Sequence, residues 1–196
     1  KTAEALAALD NVREKSSSMN SYELAMMHNF YGFIAYNAEQ YDKAITAFTE
    51  VVAQDGIPET LELSTLFSLA QLHMMQGNYE KTLTFIDRWE KLNKAPIKAS
   101  TFLLKAQAMY QLKDYQRASG FINQAVTMVE QEGKVPEENW LVLQRAVYYE
   151  LKQPKQVTAV LEKMVQHYNQ GKYWVQLGGM YGEIGEKKKQ LAVLEA

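Results

Sequence analysis

Apolar residues along this chain recur three and four positions apart, as in Ala44, Ile45, Phe48 and Val51. That spacing places them on one face of an α-helix. The helical stretches follow one another in a fixed order. A first stretch with a small residue near its middle runs out in polar residues. A tyrosine, a charged or polar pair and a small or apolar residue then open a second stretch. The pattern predicts a helix over 2–15 and helix pairs over 22–37/41–54, 58–76/79–93, 96–112/114–132, 136–151/154–168 and 171–184/186–196.

The pairs register with one another. Aligning five copies on Tyr41, Tyr79, Tyr115, Pro154 and Lys187 gives spacings of 38, 36, 39 and 33 residues. Extra length falls between copies, around Gly56-Ile57-Pro58, Ala95-Pro96 and Gly133 to Pro136, where added loop costs little chain entropy. The small residue, Gly32, Ala70, Ala106 or Gly178, lets the two helices of a copy approach closely; Ala44 and Ala118 do the same from the second helix. Thr82, Val157 and Gln190 fit that second position less well, and the fourth copy carries Arg145 at the first, which implies wider or locally tilted packing. Pro58, Pro96 and Pro136 are expected in the first turns of their helices, where no N–H partner is needed. Gly77 with Asn78 reads as a helix stop followed by an N-cap, Asp114 as another N-cap, and Asn20 with Glu23 as a capping box.

In the fifth copy Trp174, Leu177, Gly178 and Tyr181 stand at the gaps W-x2-L-G-x2-Y. With the other copies at a period just above ~34 residues, the chain resembles the tetratricopeptide repeat (TPR) family. The resemblance implies an all-α fold, an α-α superhelix of about eleven antiparallel helices in about five and a half repeats. It implies a single TPR solenoid domain over 1–196, with a half repeat at 1–20 and repeats at 22–57, 58–95, 96–135, 136–170 and 171–196. Ala5, Leu6, Leu9 and Val12 have the spacing of a second helix whose first helix is absent, and Leu191, Leu194 and Ala196 leave an apolar face at the other end. Solenoid ends need polar caps. The expectation is a fragment of a longer superhelix whose exposed ends could pair copies into a homo-oligomer.

Composition narrows the function. With 47 % hydrophobic and 22 % charged residues the chain can bury an ordinary core. The net charge is −2, with no basic block longer than Lys187-Lys188-Lys189. A nucleic-acid partner is therefore not expected, and an anionic membrane surface is not either. No run of ~20 apolar residues is present to insert into a membrane. The absence of cysteine excludes disulfides and Cys-ligated zinc, and suits cytosol and periplasm alike. Since the chain begins at Lys1, the lack of a signal peptide says nothing about secretion.

Candidate chemistry is sparse. His28, His73 and His167 have no second ligand at metal spacing on their helix faces and read as structural. Gly178-Gly179 lies inside a helix and reads as close packing rather than a phosphate loop. Glu137-Glu138 stands at a helix start, where the dipole favours acids, and Asp87, Arg88 and Glu90 read as a solvated face around Trp89. No Ser or Thr has a nucleophile-elbow context. The chain is expected to be no enzyme, with no catalytic residue, cofactor or metal.

In the TPR family the first helix of each pair lines the concave, binding side. Helical projection from the small residue places Asn29, Phe33, Tyr36 and Asn37 there in the first copy. Phe67, Gln71, Met74 and Met75 follow in the second, Gln107, Tyr110 and Gln111 in the third and Ala146, Tyr149 and Glu150 in the fourth. The row is rich in aromatics, methionines and amides. It lacks the lysines with which some TPR domains clamp a C-terminal carboxylate, so that use is not expected. Amides can bond the backbone of an extended segment, and methionines adapt to apolar side chains. Phe33 and Met74 fit packing against neighbouring helices as well as they fit a groove.

Four phrases carry a narrower resemblance: Asn29-Phe30-Tyr31-Gly32-Phe33; Ile57-Pro58-Glu59 ahead of Leu66 to Leu72; Glu138-Asn139-Trp140 ahead of Arg145 to Leu151; and Tyr173 to Glu183. They are similar to TPR proteins encoded beside TonB–ExbB–ExbD energy-transduction components in Gram-negative bacteria. That resemblance implies a periplasmic accessory protein with TonB-complex components as partners in outer-membrane import. A general TPR adaptor or co-chaperone, cytoplasmic or envelope-associated, is the alternative.

Overall fold

The computed structural model describes residues 16–195 together with Glu4, Val12 and Glu14. The rest of the helix expected over 2–15 lies outside the described residues, as does Ala196. From residue 16 on, among the described residues, a 3-10 turn, Ser16–Ser18, precedes ten α-helices: α1 (Ser21–Asn37), α2 (Tyr41–Val52), α3 (Glu59–Met75), α4 (Tyr79–Leu92), α5 (Ala99–Gln111), α6 (Tyr115–Gln131), α7 (Glu138–Glu150), α8 (Pro154–Tyr168), α9 (Gly171–Glu183) and α10 (Lys187–Leu194). No strand occurs among the described residues.

Packing divides the chain into two compact units, Lys1–Pro96 and Ile97–Ala196. In the first, each of α1 to α4 packs on the next, and Ala35, Ala44, Phe48, Val52, Leu66, Leu69 and Leu72 form a buried core. In the second, each of α5 to α10 packs on the next, around Phe102, Ile122, Trp140, Leu141, Leu161, Met164 and Leu177. Burying each such aliphatic or aromatic side chain contributes about 1.5–3 kcal/mol, which holds amphipathic helices that would be marginal alone.

All five pairs turn the same corner. Two residues ahead of each second helix the backbone is left-handed, at Glu39 (φ 58°), Gly77 (72°), Lys113 (62°), Lys152 (54°) and Gly185 (80°). The following N–H then donates back into the first helix: Gln40 to the Ala35 carbonyl, Asn78 to His73, Asp114 to Met109, Gln153 to Tyr148 and Glu186 to Tyr181, all at 2.8–3.0 Å. These bonds close the helix ends as a Schellman motif does.

The caps follow the sequence with two corrections. Asn20 and Glu23 form the full capping box, both bonds at 2.9 Å, and Asp114 accepts from the Arg117 N–H at 3.1 Å. Asn78 occupies an N-cap position, but its side chain makes no cap bond; the backbone corner secures the helix end there. Pro58, Pro96 and Pro136 all lie outside the helices they precede. Pro58 is extended (ψ 133°) and its carbonyl accepts from Leu61 and Glu62. An Asn93–Ala95 turn holds the loop before Pro96, and Tyr168 Oη donates to the Pro136 carbonyl at 2.5 Å. Pro154 alone takes a first-turn position.

The small residues prove unequal. A Cβ at Gly32 would lie 2.5 Å from the Phe48 ring, whereas one at Gly178 would lie 3.5 Å from Val193, an ordinary contact. Ala70 and Ala106 are fully buried. At the fourth pair Arg145 stands in the small residue's place, half-buried and bonded to Gln176 of α9.

Candidate functional site

On α1 the helical spacing sets Asn29, Phe33, Tyr36 and Asn37 along one face. Phe33 is 49 % exposed and Tyr36 43 %, yet each ring leans on a core neighbour. Phe33 meets Phe48 edge-on at 5.3 Å, and Tyr36 meets Tyr41 at 5.8 Å. The two rings are therefore held in place while showing a face to solvent. On α3, Gln71 and Met75 are exposed and Met74 is half-buried. Phe67 is half-buried with its ring 5.4 Å from Trp89, so much of its surface serves packing. Trp89 thus belongs to a packed contact, while Arg88 beside it donates to the Val52 carbonyl at 2.9 Å and pairs with Glu62 at 2.5 Å.

In the second unit Gln107 is half-buried, Gln111 exposed, and Tyr110 half-buried against Tyr115 at 5.5 Å. Tyr149 is 69 % exposed. Tyr110 and Tyr149 line one cavity of about 560 Å³ together with Arg145, Gln176, Gly179 and Met180. Val157 and Leu161 of α8 are buried residues in its wall, and Glu150 and Glu183 also line it. A second hollow of about 460 Å³ shares Tyr149, Glu150, Val157, Met180 and Glu183 with the first and continues to Lys152, Gln153 and Pro154.

Helical projection reached Tyr110, Tyr149 and Glu150 among these residues and missed the others. The available signal was Arg145, the one copy to break the small-residue rule. Gly179 needs correction: a Cβ there meets nothing within 4 Å, so it opens onto the cavity instead of marking close packing. Arg145 Nη1 donates to Gln176 Oε1, while its Nε is buried with no partner.

Three further titratable groups, His73, Glu138 and Tyr181, are engaged in packing and hydrogen bonds. His73 is buried and stacks flat on Phe85 at 5.3 Å; burial first, then the Lys81 charge, push its imidazole below the ordinary 6.5. Glu138, at the start of α7, accepts from Tyr173, Lys172 and Gln170, and its carboxyl is held below the usual range first by the Tyr173 bond, then by Lys172. Tyr181 donates to Glu162 at 2.6 Å, and burial, then that bond, push its hydroxyl up to about 12. Among the described residues no three His, Asp or Glu side chains gather as a metal site, and no helix is long and apolar enough to cross a membrane.

The family model for subunit 3 of the anaphase-promoting complex, or cyclosome, matches residues 37–125. No curated protein sequence matches the chain. Among solved structures, a crystal structure of MamA protein is similar over 88 % of this chain and 89 % of its own, at 16 % identity and TM-score 0.69. YrrB, described as a TPR protein with an unusual peptide-binding site, is similar over 96 % of this chain and 89 % of its own, at 9 % identity and TM-score 0.66. The apo form of RapI is similar over 96 % of this chain and 57 % of its own, at 12 % identity and TM-score 0.69. At such identities the likeness speaks for architecture. With the registered helix pairs and their common corner, it makes this chain an all-α helical-repeat protein of the tetratricopeptide solenoid fold.

Proposed function

We propose that this chain is a non-catalytic scaffold that binds an extended segment of a partner protein along the first helices of its repeats. The observation that carries the reading is the set of half-exposed rings on α1, Phe33 and Tyr36, fixed by Phe48 and Tyr41 with Asn29 and Asn37 beside them. Rigid aromatics supply contact area at little entropic cost, and amides satisfy a bound backbone. Gln71 and Met75 on α3 add the same chemistry within the first unit, and in the second unit Tyr149 on α7 is a likewise exposed ring. The YrrB structure, named for its peptide-binding site, lends support by analogy of fold.

The finer reading is a periplasmic accessory of a TonB-type system for outer-membrane import. It rests on the four sequence phrases from Asn29 to Glu183. The general adaptor or co-chaperone is favoured instead by the likeness to MamA, YrrB and RapI, whose names point to no single system. Cross-linked capture from cell envelopes separates the two. TonB-complex proteins recovered by wild type and lost with Phe33→Ala/Tyr36→Ala and with Met75→Lys support the first reading. Chaperones recovered in their place support the second. Capture unchanged in both variants, each with a wild-type melting profile, refutes the binding face.

A further inference from the structure

Arg145 occupies the position where its sister copies have Gly32, Ala70, Ala106 and Gly178. A guanidinium cannot pack there as a methyl does. Arg145 lines the cavity of about 560 Å³, with Val157 and Leu161 of α8 in its wall. The arginine is half-buried. Among the described residues its one hydrogen-bond partner is the neutral side chain of Gln176, its Nε is buried and unpartnered, and no carboxylate pairs with it. A cation partly withdrawn from water without a counter-charge is costly, and that cost is recovered when an anion arrives.

The shape of the space says what kind of anion. The cavity runs on into the second hollow toward Lys152 and Pro154, so the depression is long rather than spherical. Glu150 and Glu183 line both stretches and disfavour a ligand that is purely anionic. Tyr110, Tyr149 and Met180 add apolar surface. A peptide segment with a carboxylate next to a basic side chain matches all three features.

We propose that Arg145, oriented by Gln176, is a carboxylate-binding subsite for a mixed-charge peptide segment of the partner. The carboxylate meets the guanidinium and a neighbouring lysine or arginine meets Glu150 and Glu183. This rests on the scaffold reading above and gives its partner a chemistry. It differs from a lysine-based clamp, since the cation comes from the packing position of the repeat.

The test uses three synthetic peptides and nuclear magnetic resonance on the whole chain: acetyl-Lys-Tyr-Glu-Lys-amide, its Gln analogue, and the Gln analogue with a free C-terminus. The Glu peptide is expected to shift the Gly179 amide and the Gln176 side chain, with the amidated Gln analogue weaker by about tenfold or more, as for loss of a charge-assisted bond. Binding by the free-acid analogue assigns the subsite to a terminal carboxylate; its failure assigns it to an acidic side chain. Arg145→Gln should abolish the preference for Glu over Gln. Gly179→Leu, which enters open space on a helix, should block all three peptides with the fold intact. Equal affinity for the two amidated peptides, undiminished preference in Arg145→Gln, no binding at all, or an equal response to acetate alone would each overturn the proposal. Peptide binding that survives while envelope capture fails would sink the TonB-type reading and leave the subsite standing.

Discussion

A Cβ added at Gly32 would lie 2.5 Å from the ring of Phe48, a side chain 2 % exposed. The ring is rigid and walled in, and it also packs against Phe33 at 5.3 Å. Gly32→Ala must therefore displace the contact between α1 and α2. It is expected to cost about 1–3 kcal/mol as overpacking. Gly178→Ala, with 3.5 Å to Val193, is expected to be neutral or to stabilise by up to about 1 kcal/mol through helix propensity. Chemical denaturation of the two variants tests the contrast; equal effects would show that the Phe48 contact is not limiting.

Lys113 and Lys152 hold φ of 62° and 54° at corners where Gly77 and Gly185 hold 72° and 80°. A non-glycine residue pays roughly 1–2 kcal/mol for left-handed backbone, part of which glycine returns as unfolded-state entropy. Lys113→Gly and Lys152→Gly are expected to raise stability by up to about 1 kcal/mol each, read as melting shifts. A fall in melting temperature would mean that the lysine side chains contribute more than the corner costs.

His73 sits buried against Phe85 with Nδ1 unpartnered. Its folded pKa is depressed, by burial first and Lys81 second. The unfolded chain therefore takes the proton more readily, so the stabilisation is fully present above about 6.5 and is lost as pH falls below it. Urea midpoints are expected to drop between pH 7.5 and 5.5, and His73→Phe is expected to reduce that slope. The same slope in wild type and variant would place the acid sensitivity elsewhere.

Tyr181 donates to Glu162 at 2.6 Å from a largely buried position. Tyr181→Phe keeps the ring and removes the bond, and is expected to lower stability by about 1 kcal/mol. Ultraviolet titration gives an independent check: one tyrosine of the wild type should resist ionisation until about 12 and be missing from the variant.

The helix pairs were legible because the chain repeats itself. Tyr41, Tyr79 and Tyr115 each open a second helix, and Asn20, Glu23 and Asp114 cap as their types suggest. The prolines misled because residues suited to a first turn are equally suited to the extended stretch before it. Pro58 and Pro136 take that second place, their carbonyls serving Leu61 and Tyr168. Phe33 and Tyr36 were legible by spacing, but their fixing by Phe48 and Tyr41 depends on the second helix and the corner. The cavity was hardest to see. Arg145 signals it in one letter, but Val157, Gln176 and Met180 reach it from two other helices, and no local pattern joins them.

The corners also decide where this chain can take on length. Each one spends a left-handed residue and a fixed backbone bond on a reversal between Asn37 and Tyr41, Met75 and Tyr79, or Gln111 and Tyr115. An epitope or fluorescent label spliced there would break both. The stretches after Gly56 and after Lys134 join one pair to the next; Gly56 and Gly133 are themselves left-handed (φ 71° and 70°) and Lys134 donates to the Val129 carbonyl at 3.1 Å, so added length is best placed just past Gly56 and just past Lys134. Those two points are the natural ports for inserted tags, and the uneven spacing of the repeats is what growth confined to such ports leaves behind.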